Sequence, residues 1–210
     1  MSAVPPLHAI VLAGGTGRRL GGASKPDIRV GGRTLLALTL DSLPEDVSRV
    51  VVVAPAGVEV PQGVGRTLED PPLGGPASGV AAGWHHLEAL GTGDQDLVAL
   101  LACDAPRSGR ALPQLSRVLL RSSRRGAPGD GPHEVALARS GGRVQFLPAL
   151  LSARALAALC SELGGRRDVS MRRLLAGASW LEVDMDPRVM TDIDDWDDLR
   201  RFSGTIGGTT

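Results

Sequence analysis

Short apolar runs alternate along this chain with longer segments in which apolar residues recur every three or four positions. The runs are rich in valine and leucine, which is typical of buried strands in a parallel sheet. They predict strands at His8–Ala13, Arg49–Ala54, Gly65–Leu68, Asp96–Ala102 and Trp180–Val183. The periodic segments predict helices at Thr34–Leu43, Ala77–Leu90, Arg110–Ser123, Ala153–Leu163, Ser170–Ala176 and Asp194–Phe202.

A predicted hairpin interrupts this alternation late in the chain, where Glu134–Arg139 and Arg143–Phe146 flank the pair Gly141–Gly142. Elsewhere strands alternate with helices. This order predicts an α/β fold of three layers, a mostly parallel twisted sheet with helices on both faces. Because no repeat or linker divides the chain, we expect a single domain over 1–202 and a disordered tail over 203–210.

Composition narrows the class of protein. The 210 residues are 42% hydrophobic and 22% charged, with a formal net charge of zero. These values fit a globular domain and exclude recruitment of nucleic acid or an anionic membrane by overall charge. No apolar run approaches the about 20 residues that cross a bilayer, and residues 1–6 lack the pattern of a secretory signal. Cys103 and Cys160 lack metal-site spacing. Taken together, these features lead us to expect a cytoplasmic protein with no nucleic-acid or membrane partner.

The segment after the first predicted strand carries the strongest chemical signal. It is rich in glycine, so its backbone N–H groups can approach and surround an anion. Arg18, Arg19 and Lys25 add the positive charge that a triphosphate requires. Lys25 is followed by Pro26, which excludes a Walker A loop, and Leu20 occupies the third glycine position of a dinucleotide fingerprint. A flexible loop without a ligand is the alternative interpretation.

Lys25 is the only lysine among the 23 lysine and arginine residues of the chain. The abundance of glycine, alanine and arginine indicates drift toward G/C-rich codons, which replaces lysine by arginine wherever the two interchange. A planar guanidinium does not replace a compact ammonium where a point charge must fit among phosphate oxygens. The retained lysine therefore points to a chemical role.

Leu12–Lys25 resembles, without a gap, the opening signature of the molybdenum cofactor guanylyltransferases, L-A-G-G-x-x-x-R-M-G-G-x-D-K. Leu20 replaces the methionine and Ser24 replaces the aspartate, while Gly32–Leu36 resembles the G-x-P-L-L entry into the first helix. The resemblance implies a nucleotide-diphospho-sugar transferase-like, Rossmann-like fold. It implies transfer of GMP from GTP to the phosphate of molybdopterin with release of pyrophosphate, and transient contacts with other proteins of cofactor biosynthesis.

The resemblance also assigns site residues. Arg19, Lys25 and Asp104 are the expected catalytic residues. Cys103–Pro106 resembles the family's C-D-x-P, in which the aspartate supplies a Mg²⁺ ligand, and a carboxylate at the carboxyl end of a strand suits Mg²⁺. The residues expected to bind the nucleotide are Leu12, Ala13, Gly14, Gly15, Thr16, Gly17, Arg18, Arg19, Lys25, Asp70, Gly75, Pro76, Ser78 and Asp104.

A second loop rich in glycine and proline, Pro71–Gly79, resembles the family's base-contacting G-P-L-A-G element. Cytidylyltransferases for the same cofactor carry L-A-A-G in the first loop, so Leu12–Gly15 favours guanine. Gly164–Arg167 stands where the family has a basic segment near the pterin acceptor, although a surface charge run explains these residues equally well.

Met190–Leu199 resembles the family's closing N-x-N-T-P-E-E-L or D-I-D-T-x-E-D-L. We expect Asp192 to join Asp104 as a Mg²⁺ ligand, with Asp194 as the alternative ligand. The other interpretation of Asp194 is the N-cap of the last helix.

Three other functions fit the same residues. The chain would be a nucleotidyltransferase that uses CTP or a different phosphorylated acceptor, a nucleotide-binding regulatory module that has lost catalysis, or a scaffold without nucleotide affinity. Ser24 in place of aspartate and the absence of asparagine from the closing motif are the features that leave the regulatory module open as an alternative.

Overall fold

The computed structural model describes residues 4–14, 24–124 and 133–206. The strands are β1 Leu7–Leu12, β2 Arg29–Val30, β3 Arg33–Thr34, β4 Val47–Val53, β5 Gly65–Thr67, β6 Leu97–Ala102, β7 Val135–Ser140, β8 Arg143–Ser152 and β9 Trp180–Asp184. The α-helices are α1 Leu35–Asp41, α2 Pro76–Ala89, α3 Leu112–Arg124, α4 Ala153–Leu163, α5 Met171–Leu175 and α6 Trp196–Ile206.

Seven of the described strands form one sheet in the order β5-β4-β1-β6-β8-β7-β9. Strands β5, β4, β1 and β6 are parallel, β8 is antiparallel to both of its neighbours, and β9 is parallel to β7. The predicted α/β fold with a mostly parallel sheet is therefore confirmed. The chain leaves β1 toward β4 and returns to β6 on the other side of β1, so ligands are expected at the carboxyl ends of β1 and β6.

Helices cover both faces of the sheet because successive strand residues point to opposite sides. On one face Ile10 packs with residues of α2, α4 and α5. On the other face Ala9 and Val11 pack with residues of α1 and α3. Apolar residues at nearly every position of β1 and β6 are thus explained, since both faces of these strands are buried.

A third, small apolar cluster lies apart from the two faces of the sheet, and we call it the satellite core. It brings together the segment after the first loop, the start of α1, and the C-terminal region. Its buried members are Ile28, Val30, Leu35, Ile193 and Phe202. Parts of the chain that are far apart in sequence therefore meet beside the carboxyl end of β6.

The boundaries depart from prediction in three places. Strand β8 continues past the predicted end at Phe146 to Ser152, because an irregularity in its pairing with β7 accommodates Pro148, which has no N–H to donate. Strands β2 and β3 were not predicted, and the turn between them uses positive φ at Gly31 and Gly32. Helix α6 runs to Ile206 instead of ending at Phe202, and residues 207–210 lie outside the described part.

Close packing of α2 on β1 leads to the first prediction. A Cβ atom at Gly83 would lie 2.5 Å from Ile10 Cγ2, inside the core. We expect Gly83→Ala to lower the free energy of unfolding by about 1–3 kcal/mol through overpacking, although alanine is the better helix former by about 1 kcal/mol. Gly204→Ala in α6 is the matched control, because its Cβ would meet open space. Urea denaturation measures both, and an equal effect of the two substitutions would contradict the packing.

Candidate active site

The carboxyl ends of β1 and β6 are joined by backbone hydrogen bonds that place two predicted site residues side by side. The Cys103 N–H donates to the Leu12 carbonyl over 3.0 Å, and Asp104 follows directly. The Thr39 hydroxyl of α1 donates to the Cys103 carbonyl over 3.2 Å. Helix α1 thereby fixes the chain as it leaves the sheet, with Leu12 and Asp104 at one edge.

The centre of the site is an ion cluster around Lys25. Its Nζ donates to Asp104 Oδ2 over 3.0 Å and to Asp194 Oδ1 over 2.7 Å. The Ile193 N–H donates to the Asp104 carbonyl over 2.8 Å, which secures the C-terminal segment beside β6. Three regions that are distant in sequence thus converge, and the Lys25 side chain is only 16% exposed.

A single turn of 3-10 helix, Lys25–Asp27, presents Lys25 to this cluster. Pro26 is buried within the turn, and Ile28 enters the satellite core directly after it. Ser24, where the family pattern has aspartate, donates its hydroxyl hydrogen to the Asp27 carboxylate. Asp27 therefore supplies a carboxylate at the other end of the turn, and the serine has a defined partner.

The Lys25 ammonium pairs with two carboxylates, and a third carboxylate, that of Asp192, lies close enough to interact with the charges of all three groups. Burial would lower the pKa of Lys25, but hydrogen bonds and charges from Asp194 and Asp104 outweigh that effect and raise it, so the ammonium stays protonated. Asp192 keeps an exposed surface, but local desolvation of its carboxyl, together with the nearby charges of Asp104 and Asp194, raises its pKa to about 6. With one ammonium and three carboxylates, these residues together carry an excess of formal negative charge.

Asp194 does not cap the last helix, contrary to the interpretation from sequence. Asp195 is the cap, because its Oδ1 accepts from the N–H groups of Asp197 and Asp198, each over 2.9 Å. Asp198 Oδ2 accepts in return from the N–H groups of Asp194 and Asp195, over 3.0 and 3.2 Å. The Asp194 carboxylate is turned instead to Lys25.

Helix α6 is fastened to the loop after Asp104 by an aromatic contact. The guanidinium carbon of Arg107 lies 4.5 Å from the centre of the Phe202 ring, within cation–π range. Phe202 is buried in the satellite core together with Ile193. This packing holds the segment from Asp192 to Asp194 against β6.

The second predicted loop lies beside the end of β1. Gly75 has a φ of +86° directly before α2, and Pro76 is the first residue of that helix. A Cβ atom at Gly79 would lie 3.2 Å from Leu12 Cδ2, so the start of α2 approaches the end of β1 closely. The Ser78 hydroxyl donates to the Gly74 carbonyl over 2.8 Å, within the turn of chain that leads into α2.

The other predicted site residues are either outside the described part of the chain, buried, or exposed. Gly15, Thr16, Gly17, Arg18 and Arg19 lie outside the described residues. Ala13 is buried, whereas Gly14 and Asp70 are exposed at the carboxyl ends of β1 and the β5 region. Cys103 is buried in the core, and burial, reinforced by the Asp104 charge, raises the pKa of its thiol far above the ordinary range, so it is unsuited to act as a nucleophile.

Sequence reasoning missed two contacts of the site. It gave no reason to connect Asp194 with Lys25, since four neighbouring carboxylates at the start of a helix are equally suited to capping. It also left Arg167 as a surface charge or an acceptor ligand. In the structure the Arg167 guanidinium donates to the carbonyls of Pro71 and Pro72.

The residues that the structure describes contain no group of three histidine, cysteine or acidic side chains arranged to hold a metal ion. A metal that used this site would therefore take one or two carboxylates and complete its shell with substrate oxygens. None of the described helices has the length and apolar character needed to span a membrane.

The raised pKa of Asp192 predicts a pH dependence of stability. Its folded-state pKa of about 6 lies above the ordinary 3.8. The resulting stabilisation is full below about pH 4 and is lost as pH rises through 6. In urea denaturation with EDTA, we expect Asp192→Asn to be more stable than the wild type at pH 8 and to lose this advantage at pH 4. Asp46→Asn, at an exposed loop position, is the control, and equal pH profiles for the wild type and Asp192→Asn would refute the prediction.

Comparison with known proteins relates this geometry to a family. Residues 9–183 match the family model of the MobA-like NTP transferase domain. Molybdenum cofactor guanylyltransferase of Rhodopseudomonas palustris is 33% identical over 153 residues, which cover 71% of this chain and 69% of that protein. The 2-C-methyl-D-erythritol 4-phosphate cytidylyltransferase of Thermus thermophilus is 36% identical over 121 residues, 58% of this chain. The match spans about half the length of that relative, 52%.

Solved structures agree on the fold. The crystal structure of molybdopterin-guanine dinucleotide biosynthesis protein A from Archaeoglobus fulgidus has a TM-score of 0.67 to this chain at 17% identity. The superposition covers 96% of this chain and 100% of that one. The seven-stranded sheet is thus that of the nucleotide-diphospho-sugar transferase-like fold, and the chain belongs to the MobA-like NTP transferase family of nucleotidyltransferases.

Proposed function

We propose that this protein transfers GMP from GTP to the phosphate of molybdopterin and releases pyrophosphate. The observation that carries the proposal is the bonding of Lys25 to Asp104 and Asp194 at the carboxyl ends of β1 and β6. A protonated lysine within a carboxylate cluster, next to a glycine-rich loop, suits the binding and cleavage of a triphosphate.

The chemistry requires no general base. A phosphate oxygen of the acceptor is already anionic, and it attacks the α-phosphorus of GTP in line with the leaving group. The new phosphorus–oxygen bond forms as the bond to the oxygen that bridges the α- and β-phosphorus atoms breaks, and pyrophosphate leaves with that electron pair. Catalysis then consists of positioning and of neutralising the charge that develops on the pyrophosphate.

Each part of the site has a role in this scheme. The backbone of Leu12–Gly17 would surround the phosphates. The structure describes the first residues of this segment, up to Gly14. Lys25 would stabilise the leaving pyrophosphate, with Arg19 as its partner on the strength of the family resemblance. Asp104 and Asp194 keep the Lys25 ammonium charged and oriented before the nucleotide arrives.

The donor set also fits Mg²⁺, which prefers carboxylate oxygens and substrate phosphates. Lys25 pairs with Asp104 and Asp194, and the pKa of Asp192 is raised by desolvation and by the charges of these two carboxylates. A divalent cation would neutralise the excess negative charge of the three carboxylates. Asp104 and Asp192 are the residues that would hold the ion. When bound, Mg²⁺ would supply charge neutralisation to the phosphate oxygens.

Guanine and a pterin acceptor are supported by two observations. The guanylyltransferase relative aligns over 71% of the chain, whereas the cytidylyltransferase relative aligns over 58%. The first loop reads Leu12-Ala13-Gly14-Gly15, which matches the guanylyltransferase pattern. The second candidate is cytidylyl transfer to a methylerythritol phosphate, which is favoured by the 36% identity to the Thermus thermophilus enzyme.

A pyrophosphate-release assay separates these candidates. GTP and CTP are each offered with Mg²⁺ and with molybdopterin, with 2-C-methyl-D-erythritol 4-phosphate, or with no acceptor. We expect release with GTP and molybdopterin alone. Release with CTP and the erythritol phosphate would replace the proposal by the second candidate. Binding of GTP without release in any combination would identify a nucleotide-binding module without catalysis.

Substitutions in the ion cluster test the residue roles. We expect Lys25→Arg and Asp104→Asn each to lower kcat by about 10²–10³-fold, the usual cost of removing one group that stabilises transition-state charge. Arginine is no substitute because its planar fork does not fit where a compact ammonium lies between two carboxylates. Arg29→Lys, an exposed change shortly after the same turn, is the control for basic substitutions. Thermal unfolding checks that the variants fold, and wild-type turnover in either cluster variant would remove that residue from the mechanism.

A further inference from the structure

An arginine from the second half of the chain holds the loop that precedes α2. Arg167 Nη1 donates to the Pro71 carbonyl over 2.7 Å, and Nη2 donates to the Pro72 carbonyl over 2.9 Å. Both bonds are charge-assisted, and the rigid guanidinium plane matches two successive carbonyls at once. We call residues 70–76 the base loop, because the corresponding family element contacts the base.

Backbone bonds extend this contact along the base loop. The Asp168 N–H donates to the Gly74 carbonyl over 2.7 Å, and the Ala77 N–H donates to the Val169 carbonyl over 3.3 Å. A Cβ atom at Gly75 would lie 3.1 Å from the Asp168 Cα, so the two segments are in close contact. Residues 167–169 therefore run alongside the base loop and follow its shape.

The base loop needs such support. Leu73 has a φ of +62°, a left-handed conformation that is unfavourable for a side chain of this kind, and it is 66% exposed. An open pocket of about 230 Å³ borders the loop, and its lining includes Asp70, Pro71, Ser78 and Arg167. Because Pro71, Pro72 and Leu73 are exposed, the loop depends on hydrogen bonds for its conformation, among them those from residues 167–169.

We infer that Arg167 is a positioning residue for recognition of the nucleotide base. It holds the base loop, with the apolar side chain of Leu73 at the tip, in the conformation that receives the base of the nucleoside triphosphate. This inference rests on the proposed function. Because its guanidinium is bonded to the Pro71 and Pro72 carbonyls, Arg167 acts through the loop, so it governs base affinity and the choice between bases and leaves the chemical step alone.

The inference predicts a specific split in the kinetic constants. Removing the guanidinium lets the base loop relax, while Lys25 and the first loop still bind the triphosphate. The KM for GTP should therefore rise, and the preference for GTP over CTP should fall. The kcat and the KM for the acceptor should stay the same, because the Lys25 cluster is untouched.

The experiment compares Arg167→Ala, Arg167→Lys and Arg166→Ala with the wild type, using calorimetric titration of GTP and of CTP with Mg²⁺ and steady-state kinetics. We expect Arg167→Ala to raise the Kd for GTP about tenfold, which corresponds to ~1.4 kcal/mol. Arg167→Lys should be intermediate, since an ammonium cannot reproduce the paired geometry. Arg166→Ala should match the wild type, because Arg166 donates to the Leu163 and Glu162 carbonyls at the end of α4.

Two results would overturn the inference while leaving the proposed function intact. The first is wild-type GTP affinity and base preference in Arg167→Ala. The second is a lower melting temperature and a smaller active fraction with an unchanged KM for GTP, which would show general structural support only. If Arg167→Ala does not fold, Arg167→Lys decides by the same criteria. A wild-type protein that binds GTP but shows no turnover would refute the proposed reaction alone, and one that binds neither nucleotide would refute both.

Discussion

Lys25 lies between Asp104 and Asp194, and the remaining parts of the site are arranged around this pairing of one ammonium with two carboxylates. A lysine this far from solvent would tend to lose its proton, and the carboxylates prevent that. The charges of the same carboxylates act on Asp192, whose pKa is raised by desolvation together with these charges. The cluster is thus neither a simple salt bridge nor a complete metal site. It is a charged centre that holds a cation in place and carries spare negative charge beside it.

The two halves of the chain have different roles around this centre. The parallel strands β1, β4, β5 and β6 end at the site and supply the loops that face a ligand. The later part supplies the residues that keep those loops in place, with Arg167 at the base loop and Phe202 beside Arg107. Loops rich in glycine and proline have little side-chain packing of their own. Precise binding then depends on supports that come from elsewhere in the fold.

The sequence predicted the layers of the fold well because buried parallel strands leave a strong local signal, as the apolar runs of β1, β4 and β6 do. It missed the length of β8 because Pro148 interrupts the local pattern, and only the pairing of β8 with β6 and β7 shows why the strand continues. Lys25 and Asp104 could be proposed from spacing and family resemblance. The partnership of Lys25 with Asp194 and the role of Arg167 could not, because both join segments far apart in sequence, and nothing near either residue encodes the distant partner.

The satellite core has a consequence for the order in which this protein matures. It closes only when Phe202, close to the last described residue, packs with Ile28 and Leu35 near the start of the chain. Contacts of such long sequence separation form late, because the loop they close is long. During synthesis the strands β1, β4 and β6 can pair while Lys25 still lacks its Asp194 partner. Because Asp194 follows Lys25 by 169 residues, the ion cluster cannot form until the segment that carries Asp194 has been synthesised.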